Sequence, residues 1–196
     1  MNSQITYLTH YTNKAGYDAI MAKYDPKNPA PNQVVLRASV LEGKQHTHYG
    51  KGVYFSPIGA TEIFLFGIKE FVTRLFNSDS EAAALKCTYH ITVKVDKSWY
   101  PIMAVASDEK FKPQIKDIWL VPQTDDLDIT AHIDSHGETV VLDQLRKGLY
   151  KPSGVSAEGF AQLMASLRPS QLVSRDGTTV DAEVDWSKLV PLFDDI

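Results

Sequence analysis

From residue 87 to residue 95 the chain alternates without a break: Cys87, Tyr89, Ile91, Val93 and Val95 against Thr88, His90, Thr92 and Lys94. A period of two is the repeat of a β-strand, whose successive side chains point to opposite faces. A strand of this length has to pair with neighbours and bury at least one face, so the fold must be built around a sheet. The remaining segments lack the regular βαβ alternation that a parallel sheet requires. Short strands and helices are mixed instead, which predicts an α+β fold.

Residues 5–10 read as a first strand. Asn13 can cap a helix carrying Tyr17, Ile20, Met21 and Tyr24 at i, i+3, i+4 and i+7. Three prolines between residues 25 and 33 end that helix, and residues 34–36 read as a buried strand. Residues 42–50 are polar and rich in histidine, which suits a surface loop. Gly50-Lys51-Gly52 is a turn running into a strand at Val53-Tyr54-Phe55-Ser56. Thr61 can cap one helix with Phe64, Ile68, Phe71, Val72 and Leu75 on a single stripe. Residues 118–121 and 127–133 read as two further strands. Ser135-His136-Gly137-Glu138 has the S-x-x-E pattern of a capping box, ahead of Leu142, Leu145 and Leu149 at helical spacing. Phe160, Leu163, Met164 and Leu167 mark a last helix, and Asp176-Gly177 a hairpin turn.

With 196 residues, 43% of them hydrophobic, the chain can bury a core as one domain without disulfides. Its formal charge of −4 gives no electrostatic reason to expect a nucleic-acid partner. Cys87 is the single cysteine, so neither an internal disulfide nor a cysteine zinc site can form. No apolar run approaches the ~18 residues of a membrane span, and the first residues lack the pattern of a signal peptide. The expectation is a soluble protein, cytoplasmic or delivered into a target cell.

Several chemistries fall away. His46 and His48 form His-x-His in a polar loop without a carboxylate partner, and His132 and His136 do not share a helix face, so no metal is expected. Ser39, Ser56 and Cys87 lack the context of hydrolase nucleophiles, and no G-x-G-x-x-G or phosphate-loop sequence occurs.

What remains are two motifs and a weaker third. The first is Thr9-His10-Tyr11-Thr12, followed by Gly16 and Ile20. The second is Tyr49-Gly50-Lys51-Gly52-Val53-Tyr54-Phe55-Ser56. The third is Lys116-Asp117-Ile118-Trp119-Leu120-Val121, an acidic residue opening an apolar strand. Together they resemble the ADP-ribosyltransferase superfamily, in the branch that includes diphtheria toxin and the poly-ADP-ribose polymerases. The nearest likeness is to the toxin-type group with a His-Tyr-Asp signature. The resemblance covers roughly residues 5–137.

It implies an ADP-ribosyltransferase-type fold, two short packed sheets with flanking helices around an NAD cleft. The chain would be one domain over residues 1–196, with its core near 5–150 and residues 151–196 as a C-terminal appendage. NAD would be the substrate, with no metal, and the acceptor of ADP-ribose a protein more readily than a nucleic acid, or water. By resemblance His10 binds a ribose, Tyr54 stacks on nicotinamide and Asp117 is the catalytic carboxylate. Tyr11 and Thr12 line the nicotinamide pocket, and Gly50 and Gly52 let the backbone approach it. Asp128 is the reserve carboxylate and Glu138 the third choice. Relatives often carry a second aromatic about eleven residues after the first, where this chain has Leu65 between Phe64 and Phe66. That departure keeps open a second expectation, a module of the same fold that binds a partner without catalysis.

Overall fold

The structure, a computed structural model, describes residues 6–37, 52–95, 103–104, 118–121, 126–167, 172–173 and 179–180. Strand β1 (Thr6–Thr12) leads into helix α1 (Lys14–Met21), which begins where the sequence predicts. The Asn13 side chain accepts the Gly16 amide at 2.8 Å. That satisfies one of the amides that every helix start leaves unbonded. Strands β2 (Val35–Leu36) and β3 (Val53–Phe55) follow.

The helix expected from Thr61 is two helices, α2 (Ile63–Phe66) and α3 (Ile68–Phe76). Gly67 divides them with a φ of 77°, a conformation that L side chains rarely adopt and that no α-helix can contain. Glu62, not Thr61, holds the cap position, and its carboxylate accepts the Gly59 amide at 2.6 Å. Helix α4 (Glu81–Leu85), capped by Ser80, was not legible, because five residues are too few to display a helical period.

Strand β4 (Tyr89–Val95) is the alternating segment, followed by β5 (Met103–Ala104) and β6 (Trp119–Val121). The strand expected over 127–133 is interrupted. Strand β7 (Leu127–Asp128) gives way to a 3₁₀ turn at Thr130–His132 before β8 (Ile133–Glu138) begins. The capping box is therefore corrected: Ser135 and Glu138 belong to β8. Helix α5 (Val140–Arg146) starts behind Thr139, whose hydroxyl donates to the Cys87 carbonyl at 2.6 Å instead of capping the helix. Leu149, expected on the apolar face of α5, lies beyond its end and is exposed. Helix α6 (Ala157–Ser166) is capped by Ser156 and buries Phe160 and Leu163. Strands β9 (Leu172–Val173) and β10 (Thr179–Val180) pair as an antiparallel hairpin whose turn lies outside the described residues.

The fold is α+β, with small antiparallel sheets and packed helices. One three-stranded sheet has the order β1-β4-β8 and another the order β3-β6-β5, while β2 pairs with β7. The first two are joined through their main chains where Thr9 and Ser56 exchange amide–carbonyl bonds of 2.8 Å in both directions. Strand β4 lies between two partners in its sheet, and elements packed above and below bury both of its faces through residue 93. On one face Tyr17 of α1 packs against Tyr89, with ring centroids 4.8 Å apart. On the other, Tyr11, which is paired with His90, meets Phe71 of α3 at 5.0 Å.

The polar positions of β4 are thus interior. The Thr92 hydroxyl is bonded to that of Thr9 at 3.1 Å, whereas Nδ1 of His90 is buried with no hydrogen-bond partner among the described residues. Leu8, Ile91, Val93, Val53, Val121 and Leu127 form one core between the sheets, and a second core lies beneath α3, α5 and α6. Phe71, fully buried, contributes ~2–3 kcal/mol to the second by removal from water. Among the described residues no helix is long and apolar enough to cross a membrane.

Candidate functional site

The Thr9–Ser56 bridge brings the first two motifs together. It sets β3 beside β1, and Nδ1 of His10 then lies 3.1 Å from the carbonyl oxygen of Tyr54. A carbonyl only accepts, so the imidazole donates. Phe55 meets the imidazole edge-on, with centroids 6.1 Å apart and planes at 70°. Burial holds His10 below the ordinary histidine value of 6.5, against the smaller opposing pull of the Tyr54 carbonyl. The ring is therefore neutral near pH 7, suited to binding a ligand hydroxyl and unsuited to carrying a positive charge.

Tyr54 is half-buried on β3, between Val53 and Phe55, which point into the core. Tyr11, expected to line the pocket, also has a packing role. Its ring packs on Phe71, and its hydroxyl donates to the Ile58 carbonyl at 2.8 Å, tying β1 to the turn that leaves β3. Burial raises its pKa far beyond the physiological range. Thr12 closes β1 opposite Tyr89. The glycine of the first motif is explained by it: a Cβ on Gly16 would fall 2.2 Å from the Thr12 hydroxyl oxygen.

Gly52 has a packing reason of its own. Its φ is 155°, and an added Cβ would fall 2.3 Å from the Val121 carbonyl oxygen. The second glycine of the turn is thus required by the close approach of β6, whatever else passes over it. Gly50, Asp117, His46 and His48 lie outside the described residues.

The two other carboxylates are occupied. Asp128 accepts from the Asn32 amide at 2.8 Å, the Thr130 amide at 3.0 Å and the Thr130 hydroxyl at 2.6 Å. Burial pushes its carboxyl up, but these bonds together outweigh it, hold the group below the usual range and fasten β7 to the loop before β2. Glu138 is gripped by both terminal nitrogens of Arg146, at 2.6 and 3.0 Å, and accepts the Tyr89 hydroxyl at 3.1 Å. Beside it the Tyr17 hydroxyl is bonded to Nδ1 of His136 at 2.7 Å. The Tyr89 hydroxyl is pushed up to about 12, by burial first and by Glu138 second. This network joins α1, β4, β8 and α5, and nothing in the sequence pattern announced it.

At the expected second aromatic, Phe64 and Leu65 are turned outward, while Phe66 is partly buried against the core. Phe64 is 60% and Leu65 77% exposed, while the Arg74 guanidinium lies 4.9 Å from the ring centre of Phe66. No group of histidine, cysteine and acidic side chains suited to a metal ion occurs among the described residues. In comparisons with known proteins, no family model matches the chain, and neither a curated protein nor a solved structure matches it.

Proposed function

We propose that the chain is an NAD-consuming enzyme of the ADP-ribosyltransferase kind, which cleaves the bond between nicotinamide and ribose and passes ADP-ribose to a protein or to water. The observation that carries this reading is the bond between His10 and the Tyr54 carbonyl, which joins the two most specific motifs of the sequence. The third motif supports it. Asp117 stands two residues before Trp119 in the chain, and β6 pairs with β3 so that Leu120 faces Tyr54. The described parts of the three motifs thus fall on strands β1, β3 and β6, of which β3 adjoins both others.

In this mechanism nicotinamide leaves with the bonding electron pair, becoming neutral, and the ribose carbon takes on oxocarbenium character. A protein nucleophile or water then bonds to that carbon and gives up its proton. Tyr54 holds the pyridinium by its ring face, a contact of ~1–2 kcal/mol in a dry site. Asp117 supplies the fixed negative charge against the developing cation, which is usually the largest catalytic contribution. His10 accepts a hydroxyl of the other ribose and so fixes the dinucleotide. A nicotinamide-release assay tests the proposal. Release that depends on both Tyr54 and Asp117 supports it, and NAD left intact over hours by folded protein refutes it.

The second reading is a module of this fold that binds a nucleotide or a partner protein without catalysis. It is favoured by the solvent-facing Phe64 and Leu65, which leave no aromatic at the expected second position. Calorimetry separates the two, since the module binds NAD or a partner and releases no nicotinamide.

A further inference from the structure

We propose that the seam between β4 and β8 is an acid-sensitive latch: a proton on His90 opens it at the β8 edge while the other strands stay paired. The latch is independent of the NAD reading above.

His90 sits on the middle strand of the order β1-β4-β8, opposite Tyr11 on one side and Gly137 on the other. Residues opposite one another in a ladder share a face, so its ring lies on the face away from Tyr89, Ile91 and His136. It is only 8% exposed, and its buried Nδ1 has no hydrogen-bond partner among the described residues. Its polar neighbours on that face are bonded elsewhere. The Tyr11 hydroxyl donates to the Ile58 carbonyl, and the Thr92 hydroxyl is bonded to that of Thr9.

A neutral imidazole leaves one bare lone pair in this position, at the cost of a single unmade bond. An imidazolium has N–H donors on both nitrogens and buries a positive charge, which is far costlier. Burial holds the pKa of His90 below 6.5; the Gly137 carbonyl pulls the other way, and the charge of His136 lowers it further. Among the described residues His136 is the only charge acting on the ring. Glu138 lies on the opposite face, taken up by Arg146 and Tyr89, and there Lys14 and Asp18 of α1 pair with each other. Beyond Tyr11 stands the uncharged ring of Phe71.

Hydrating a charged His90 requires one neighbouring strand to leave, and the two differ. Strand β1 pairs with β4 without a break from Thr6 to Thr12 and is bridged to β3 at Thr9. Strand β8 is an edge, its ladder is irregular between Thr92 and Val93, and Asp134, Ser135, His136 and Glu138 are exposed. Gly137 puts no side chain over the ring, and where its Cβ would be, no atom beyond its chain neighbours lies within 4 Å. Water therefore reaches His90 from the β8 side, by a local opening that costs less than unfolding. At neutral pH the Tyr17–His136 and Arg146–Glu138 bonds hold the seam shut. The first survives protonation of His136, because the Tyr17 oxygen can then accept.

Amide hydrogen exchange of the full chain tests the latch, read by NMR at pH 7.5 and 5.0 and corrected for the intrinsic rate. Below 6.5 a proton taken up on opening favours the open form by up to about tenfold per pH unit, so exchange through the β4–β8 ladder should rise ~10–30-fold. Exchange through the β3–β6 ladder should stay as it is. An equal rise in both ladders, or a rise in neither, overturns the proposal.

His90→Gln takes up no proton and should abolish the rise; a rise that persists in the folded variant refutes the role of His90. Should that variant not fold, His136→Gln decides. It removes only the secondary charge and should keep most of the rise, whereas abolition would make His136 the titrating group and overturn the assignment to His90.

Discussion

The imidazole of His10 donates to the carbonyl of Tyr54 at 3.1 Å although 44 residues separate the two in the chain. The contact is half-buried, so removing the ring leaves a carbonyl short of a partner and a gap beside Phe55. His10→Ala should lower stability by ~1–3 kcal/mol. If His10 also binds ribose, nicotinamide release should fall well beyond the loss of folded protein. Urea unfolding and turnover measured on one preparation separate the effects, and loss matching the folded fraction would confine His10 to structure.

The three carboxylates are expected to part company. Asp128→Ala strips acceptors from two amides and a hydroxyl, so it should destabilise the protein by ~1–3 kcal/mol yet leave turnover per folded molecule unchanged. Glu138→Ala deprives Arg146 and Tyr89 of their shared partner and should act the same way, more weakly because the pair is partly exposed. Asp117→Ala should abolish nicotinamide release. Full release by that variant would remove the carboxylate assignment.

The sequence was legible where a local pattern and the tertiary fold agree. Residues 89–95 show a period of two that matches the extended β4, although its polar positions His90 and Thr92 are buried too, and Asn13 caps α1 because the side chain of Asn competes for helix-start amides. It misled where one pattern serves two structures. Ser135 and Glu138 have capping-box spacing, yet the residues between them run extended along β4, where Tyr89 and Arg146 take up the glutamate. The stripe from Phe64 to Leu75 keeps helical spacing through Gly67, and only the backbone reveals the break.

For the candidate site, the motifs named His10 and Tyr54 but not the geometry between them. That geometry comes from two main-chain bonds between Thr9 and Ser56, for which no side-chain pattern codes.

Gly52→Ala should be among the costlier single substitutions outside the core. Its Cβ would fall 2.3 Å from the Val121 carbonyl oxygen and 2.5 Å from a Leu120 methyl carbon, at a φ that alanine resists. Overpacking of this kind costs ~1–3 kcal/mol, and the backbone strain adds ~1–2 kcal/mol. Differential scanning calorimetry should show a clear fall in Tm. An unchanged Tm would mean that β3 and β6 are less closely apposed than described.

Stability should rise with pH across the histidine range. Burial lowers His10 and His90 below 6.5, so the unfolded chain binds more protons than the folded one between those lowered values and about 7. The fold then loses stability as pH falls through 6.5, with a slope of at most ~1.4 kcal/mol per pH unit for each histidine, and the full benefit is present above that window. Urea midpoints at pH 5, 6, 7 and 8 test the sign. A flat profile from 5 to 7 would show that both rings reach solvent in the folded state.

Tyr54 separates the enzymatic reading from a structural one. Tyr54→Phe keeps the ring face and should retain most nicotinamide release. Tyr54→Ala keeps the main-chain carbonyl that holds His10, and it removes a side chain that is only half-buried. Its stability cost should therefore stay below the ~3–5 kcal/mol of a fully buried aromatic cut to alanine. Turnover should drop much further than the ~1–2 kcal/mol of lost stacking suggests, because a misplaced leaving group forfeits orientation as well as contact. If Tyr54 merely fills space, activity will instead track the folded fraction in both variants. A folded Tyr54→Ala protein that keeps its turnover would take the residue out of the site and remove the main support for nicotinamide chemistry at this strand.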